Sequence, residues 1–179
     1  MHHQDLEKIR GLIRTIPDFP KPGIQFRDVS TLFKDPWGLK RTVELLAERM
    51  TKYKTDKVVA IESRGFILGA PIAQILGVGM VMARKPGKLP GKTAEIEYQL
   101  EYGKDKIQIH VDAITKGERC VVVDDLLATG GTCEATCKLI EQLGGSVVGT
   151  GFVVNLPELH GDKRLERYHP NWLVHFAGH

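Results

Sequence analysis

Cys120–Thr132 reads CVVVDDLLATGGT, and this stretch decides the fold. Val121, Val122 and Val123 form a short β-branched apolar run, the pattern of a strand buried on both faces of a parallel sheet. Asp124 and Asp125 follow. The small-residue turn Ala128, Thr129, Gly130, Gly131, Thr132 comes next, and helical apolar spacing continues to Leu143. A helix N-terminus presents unpaired N–H groups and partial positive charge, so a phosphate is stabilised there. Gly130 and Gly131 permit positive φ and close backbone approach, and the hydroxyls of Thr129 and Thr132 add donors. Adjacent carboxylates repel, more strongly when shielded from water, and ligand hydroxyls or a metal relieve that repulsion. A ribose with its 2′- and 3′-hydroxyls on the acids and its 5′-phosphate on the turn satisfies the whole string. Taken singly, the same residues are a strand end, a solvated acidic turn and an N-cap threonine; the ordered combination is what points to a ligand.

Working outward, the chain has 179 residues, 42% hydrophobic and 26% charged, which fits one globular domain spanning 1–179. The formal charge of +3 is too small to argue for a nucleic-acid partner. No apolar run approaches a membrane span, and the N-terminal MHHQDLEKIR lacks the apolar segment of a secretory signal. Cys120, Cys133 and Cys137 are odd in number and not spaced as a disulfide framework, which fits a reducing compartment and an expected cytoplasmic location. Cys133 and Cys137 lie one helical turn apart, and core packing explains them better than a metal. His2 and His3 read as a loose terminus.

Toward the N-terminus, Asp5 to Ile16 has helical spacing with Asp5 as cap. PDFPKPGIQFRD carries three prolines and a glycine and reads as loop, although Phe19, Ile24 and Phe26 make it unusually apolar. Asp35-Pro36 opens a helix that runs to Met50. Lys57–Ile61 is a second buried strand, ending in the polar turn Glu62-Ser63-Arg64-Gly65 before a helix over 66–76. Gly79–Ala83 is a third strand. Residues 84–92, RKPGKLPGK, hold four cations, two prolines and two glycines without an acid; they suit a mobile basic lid over a polyphosphate. Gly91-Lys92-Thr93 is not a P-loop, because Pro86 stands where the first glycine is required. Glu95–Leu100 and Lys106–Val111 alternate in polarity around the turn Tyr102–Asp105, an antiparallel hairpin. Past the central stretch, Glu134 and Lys138 form an i,i+4 pair and Gly144-Gly145 ends the helix. Val147–Leu156 and Trp172–Phe176 are further strands. Helices alternating with buried strands predict an α/β fold: an open, mostly parallel twisted sheet flanked by helices. Its ligand belongs at the C-terminal strand edge.

Residues 120–132 closely resemble the 5-phosphoribosyl 1-pyrophosphate (PRPP) signature of the type I phosphoribosyltransferases. PDFPKPG with FRDVSTLFKDP, ESRGF, RKPGKLPG and LEYGK resemble the adenine phosphoribosyltransferases along nearly the whole chain. The resemblance implies a type I phosphoribosyltransferase fold with an N-terminal hood over 1–34 and a β-hairpin flexible lid over 84–105. It implies transfer of the phosphoribosyl group of PRPP to N9 of adenine, giving AMP and pyrophosphate with Mg2+. By the same resemblance Asp124 and Asp125 hold the ribose hydroxyls, and Ala128, Thr129, Gly130, Gly131 and Thr132 the 5′-phosphate. Glu62 and Ser63 would bind pyrophosphate through a turn with a cis Glu62–Ser63 peptide. Arg64, Arg84 and Lys88 would neutralise the pyrophosphate; Mg2+ would be held mainly by substrate oxygens and water rather than by a protein metal site. Phe26 would cover the purine, backbone groups of Gln25 and Arg27 would read its Watson–Crick edge, and Glu101 beside Tyr102 would take or hold the proton of adenine. Gln25 and Asn155 depart from the pattern, which expects an apolar residue and an acid there. A homodimer is also implied. The PRPP signature alone fits an enzyme for another base, or a regulator that senses PRPP; the chain has no spare length for a DNA-binding element.

Overall fold

A computed structural model describes residues 2–100 and 102–178. In chain order, α1 (His3–Leu12) leads into β1 (Arg14–Pro17) and β2 (Gln25–Asp28), then α2 (Ser30–Phe33), α3 (Pro36–Met50) and β3 (Lys57–Ile61). Next come α4 (Arg64–Leu76), β4 (Gly79–Ala83), β5 (Thr93–Gln99), β6 (Lys104–His110), β7 (Arg119–Val123) and β8 (Leu126–Leu127). The chain ends with α5 (Gly131–Gln142), β9 (Ser146–Asn155), α6 (Gly161–Arg164) and β10 (Pro170–His175), with 3₁₀ turns at Pro157–Leu159 and Glu166–Tyr168.

The main sheet is parallel and six-stranded, in the order β10-β9-β7-β3-β4, with β8 pairing β9. Its central strands are buried on both faces, which explains their unbroken apolar runs. Val58, Val121 and Val123 pack with Ile9, Leu46, Met50, Leu68 and Ile72, so α1, α3 and α4 cover one face. Val59, Val122 and Phe152 pack with Leu139 and Ile140 of α5 on the other. That second face is also covered by the β5–β6 hairpin, whose Ile107 and Ile109 are fully buried. The hairpin is therefore partly wall. Reciprocal backbone bonds between Arg84 and Gln108, 2.9 and 2.8 Å, tie it to the main sheet beyond β4.

α3 forms as its cap predicts: the Asp35 carboxylate accepts from the Gly38 N–H at 2.7 Å, and Pro36 occupies the first turn. The N-terminal expectations need correction. α1 stops at Leu12, and Asp5 lies inside it, paired with Arg41 at 2.8 Å rather than capping. His2 is not loose; its ring meets Glu48 at 3.3 Å and Arg41 at 3.1 Å. Ile16 lies in β1, which pairs antiparallel with β2, so five of the twelve residues of the proline-rich segment are strand rather than loop. The β-branched residues Ile13, Thr15 and Ile16 favour that extension. α4 begins at Arg64, two residues early; β6 begins at Lys104, inside the expected turn; and β8 was not anticipated.

Candidate active site

The direction of strand addition reverses between β3 and β7, which are neighbours with β4 on one side and β9 on the other. A crevice opens outside their C-terminal ends. The turn after β3 and the turn after β7 meet there. A side chain at Gly65 would lie 2.9 Å from the Val123 carbonyl oxygen and 3.2 Å from Asp124 Oδ1, so only glycine lets the two segments close. The Glu62–Ser63 peptide in the first turn is cis.

β7 hands over to the acidic pair through paired backbone. The Asp124 N–H donates to the Gly151 carbonyl at 3.1 Å, and the Asp125 carbonyl accepts from Val153 and Val154, both at 3.0 Å. Asp125 is buried, and its carboxylate accepts from Arg64 Nε at 2.5 Å. Arg64 is half exposed, so its other nitrogens remain available to an anion. Asp124 Oδ1 accepts from the Asp125 N–H at 2.8 Å. Burial, and then the neighbouring Asp125 charge, push the Asp124 carboxyl well above the usual carboxylate range.

Residues 126–133, with Asp124 and Phe152, line a pocket of about 100 Å³. Gly130 makes the turn possible: it precedes α5 at φ +80, and a side chain on it would meet the Gly161 backbone at 3.3 Å. Thr129 is exposed, Ala128 half-buried and Gly131 buried. Thr132 Oγ1 lies 2.9 Å from the Tyr98 hydroxyl of the hairpin.

The other expected site residues approach from two sides. Glu62 accepts from the Lys85 backbone N–H at 2.5 Å and pairs with Arg84 Nε at 3.4 Å. The Arg84 guanidinium lies 5.6 Å from the Phe66 ring. Lys88 is exposed, while Lys85 is pinned to Asp105 and bonds the Tyr98 hydroxyl at 3.1 Å. In the hood, Phe26 packs edge-on against Phe19, with centroids 5.2 Å apart at 81°. The Arg27 side chain bonds Thr15 Oγ1 at 2.6 Å and the Gly178 carbonyl at 2.6 Å, so it is committed to the C-terminal segment. Gln25 shares its strand, half-buried. Lys21 of the hood lies 5.9 Å from the ring of the exposed Tyr102. Glu101 lies outside the described residues.

Sequence reasoning missed Gly65, Lys85, Tyr98 and Asp105. Gly65 sits directly after the quoted Arg64, and its neighbour across the crevice is the only clue to its role. By alternation Tyr98 is one apolar member of a strand. The three cysteines are buried and unpaired, as core packing requires; burial pushes the Cys120 thiol up to about 12.

Residues 28–174 match the family described as phosphoribosyl transferase domain, and the chain belongs to it. Fold and crevice thus define a phosphoribosyltransferase. Within that class the chain falls among the adenine phosphoribosyltransferases. The enzyme of that name from Serratia proteamaculans (strain 568) is 54% identical over 98% of this chain and 90% of its own length. The crystal structure of adenine phosphoribosyltransferase from Thermoanaerobacter pseudethanolicus superposes with a TM-score of 0.93 at 50% identity, covering 96% of this chain and 99% of that one. The Saccharomyces cerevisiae enzyme, complexed with an imino-altritol bisphosphate and adenine, gives 0.89 at 35% identity, covering 96% and 99%.

Proposed function

We propose that the chain transfers the 5-phosphoribosyl group of PRPP to N9 of adenine, releasing AMP and pyrophosphate. One observation carries this reading: the β3 and β7 turns, far apart in sequence, meet so closely at Gly65 that a carboxylate pair, an arginine and a phosphate-shaped turn share one crevice. The N-terminal hood and the basic 84–105 segment close on the same single unit.

In this reading Ala128 to Thr132 anchor the 5′-phosphate with backbone N–H groups and hydroxyls. Asp124 and Asp125 take the ribose hydroxyls. As the bond to pyrophosphate lengthens, positive charge develops on the ribose ring, in the manner of other glycosyl transfers. A carboxylate fixed nearby then interacts more favourably with the transition state than with the ground state. The raised Asp124 carboxyl is suited to this, because a nearby cation favours its ionised form just when charge develops. Arg64, steadied by Asp125, meets the leaving pyrophosphate with Ser63 of its turn, and Arg84 and Lys88 add charge; Glu62, expected there from the sequence, gives its N–H to the Ala83 carbonyl and its carboxylate to Arg84 and the Lys85 N–H, so it orients the cations rather than the anion. Phe26 covers the purine, and the backbone of Gln25 and Arg27 reads its edge. By the resemblance of LEYG, Glu101 handles the N9 proton and Tyr102 adjoins the base.

Among the described residues no three His, Cys, Asp or Glu groups assemble into a dedicated metal site. Mg2+ would instead be held mainly by waters and phosphate oxygens, with Asp124 of the pocket lining as the carboxylate that would meet it. Bound there, Mg2+ would neutralise pyrophosphate charge.

We propose a homodimer, and the surface supports it. Ile67 and Ile75 of α4 and Met82 of the edge strand β4 are exposed apolar residues on one side of the sheet, a face that a second copy would cover. No described helix is long and apolar enough to cross a membrane. The odd, unevenly spaced cysteines suit a reducing compartment, and on that ground we place the enzyme in the cytoplasm.

The test is product formation from PRPP and Mg2+ with adenine, hypoxanthine, guanine and orotate in parallel. AMP from adenine alone is expected. Turnover of another base would discard the base-pocket assignments, and tight PRPP binding without turnover would make the protein a regulator.

A further inference from the structure

Tyr98 was expected only to fill one face of a strand, yet its hydroxyl is surrounded by polar groups at the phosphate turn. It lies 2.9 Å from Thr132 Oγ1, 3.1 Å from Lys85 Nζ and 3.4 Å from Asp105 Oδ2. The residue is 9% exposed, so water does not substitute freely for these partners.

The chemistry of the partners fixes one bond and leaves the Tyr98 hydrogen two acceptors, Asp105 Oδ2 at 3.4 Å and Thr132 Oγ1 at 2.9 Å. Lysine only donates, and an ionised carboxylate only accepts. Lys85 therefore donates a hydrogen bond to the Tyr98 oxygen, and the Tyr98 hydroxyl has one hydrogen of its own to donate. Asp105 is the more distant acceptor and already takes Lys85 and the Lys106 N–H at 2.8 Å. Thr132 Oγ1 is nearer. A threonine hydroxyl that accepts from Tyr98 keeps its own proton for another acceptor, and it stands on the turn lining the pocket with Gly130 and Gly131.

We propose that Tyr98 is a positioning residue for the 5′-phosphate: by donating to Thr132 it turns the threonine proton toward the phosphate and fastens the β5–β6 hairpin to the phosphate turn. This rests on the assignment of that turn to the 5′-phosphate. The relay runs from Lys85 through Tyr98 and Thr132 to the phosphate, so a segment of the basic lid and the anchor are joined by hydrogen bonds rather than by charge alone. Because the phosphate is held alike in ground and transition states, the device acts on binding more than on turnover.

The experiment compares wild type with Tyr98→Phe, which removes the hydroxyl and keeps the ring. Titration with ribose 5-phosphate should show about three- to tenfold weaker binding, the usual range for one hydrogen bond, while pyrophosphate binds unchanged. In turnover, KM for PRPP should rise by about the same factor, with kcat and KM for adenine within about twofold. In a Thr132→Val background the same Tyr98→Phe change should have no further effect on ribose 5-phosphate. Equal weakening of both ligands, or no weakening, overturns the proposal, since a merely structural role would not single out the phosphate-bearing sugar. Should the phenylalanine variant fail to fold, 3-fluorotyrosine at position 98 keeps the hydroxyl and makes it a stronger donor. Ribose 5-phosphate must then bind at least as tightly as to wild type, and weaker binding overturns the proposal. Wild-type protein that makes no AMP from adenine and PRPP overturns the functional reading instead, so the two failures are distinct.

Discussion

At the scale of single residues, Asp124 and Asp125 show how two identical neighbours acquire different tasks. Asp125 is buried and has an arginine partner at 2.5 Å; Asp124 lines the pocket beside it. The fold raises the Asp124 carboxyl above its ordinary 3.8 through burial first and the Asp125 charge second. A raised acid favours the protonated folded state, so its penalty is absent at low pH and grows as pH rises from the ordinary value toward the raised one. Asp124→Asn should therefore melt higher than wild type at pH 7 in a thermal scan, while its kcat falls by about a hundredfold, the scale of one lost transition-state electrostatic contact. The wild-type rate should fall on the acid side as Asp124 takes up its proton, and the variant should lack that limb. A variant that melts lower and keeps the limb would remove Asp124 from this role.

At the scale of elements, the hood is a hairpin held by a carboxylate at its end. Asp28 closes β2, lies opposite Arg14 of β1 and pairs with it, and accepts from the Ser30 N–H at 2.9 Å where α2 begins. Hydrogen bonds from Ser30 and Arg14 lower its carboxyl from 3.8 to about 2. A lowered acid stabilises the fold above its unfolded value, and that contribution is lost as pH falls through the folded value. Wild type should lose stability between pH 3.8 and about 2 on this account. Asp28→Asn should lose about 1–2 kcal/mol already at pH 7, as expected for hydrogen bonds to a charged group, and show a flatter acid limb in urea titrations. The other hairpin behaves differently, because Ile107 and Ile109 seat it in the core while its basic approach, residues 84–92, stays largely open to solvent.

At the scale of the whole molecule, the edge strand β4 and helix α4 carry the exposed apolar residues Ile67, Ile75 and Met82. Burying them between two copies is favourable at about 25 cal/mol per Å². The double variant Ile75→Lys, Met82→Lys places charges in the proposed interface. Sedimentation should show wild type as a dimer and this variant as a folded monomer. A wild-type monomer would refute the assembly.

The buried valine runs of β3 and β7, the capped helix α3, the β5–β6 alternation and the Gly130 turn before α5 are readable, because each is written in neighbouring residues: burial periodicity, a cap or a glycine. The β1–β2 hairpin was hidden in a proline-rich stretch, since a strand exists only by pairing, and its partner strand is not visible from composition. Gly65 was silent because its meaning is the distance to Asp124. Arg64 and Asp125, Tyr98 and Thr132, and Arg27 and the tail were silent for the same reason. The order of residues alone sets the alternation of strands and helices and the small-residue turn after β7. Only the tertiary structure decided that β3 and β7 lie side by side at the reversal of the sheet. Local patterns are set by backbone hydrogen bonding and burial within a few residues, whereas the crevice depends on packing between residues about sixty apart in the chain, as Arg64 and Asp125 are.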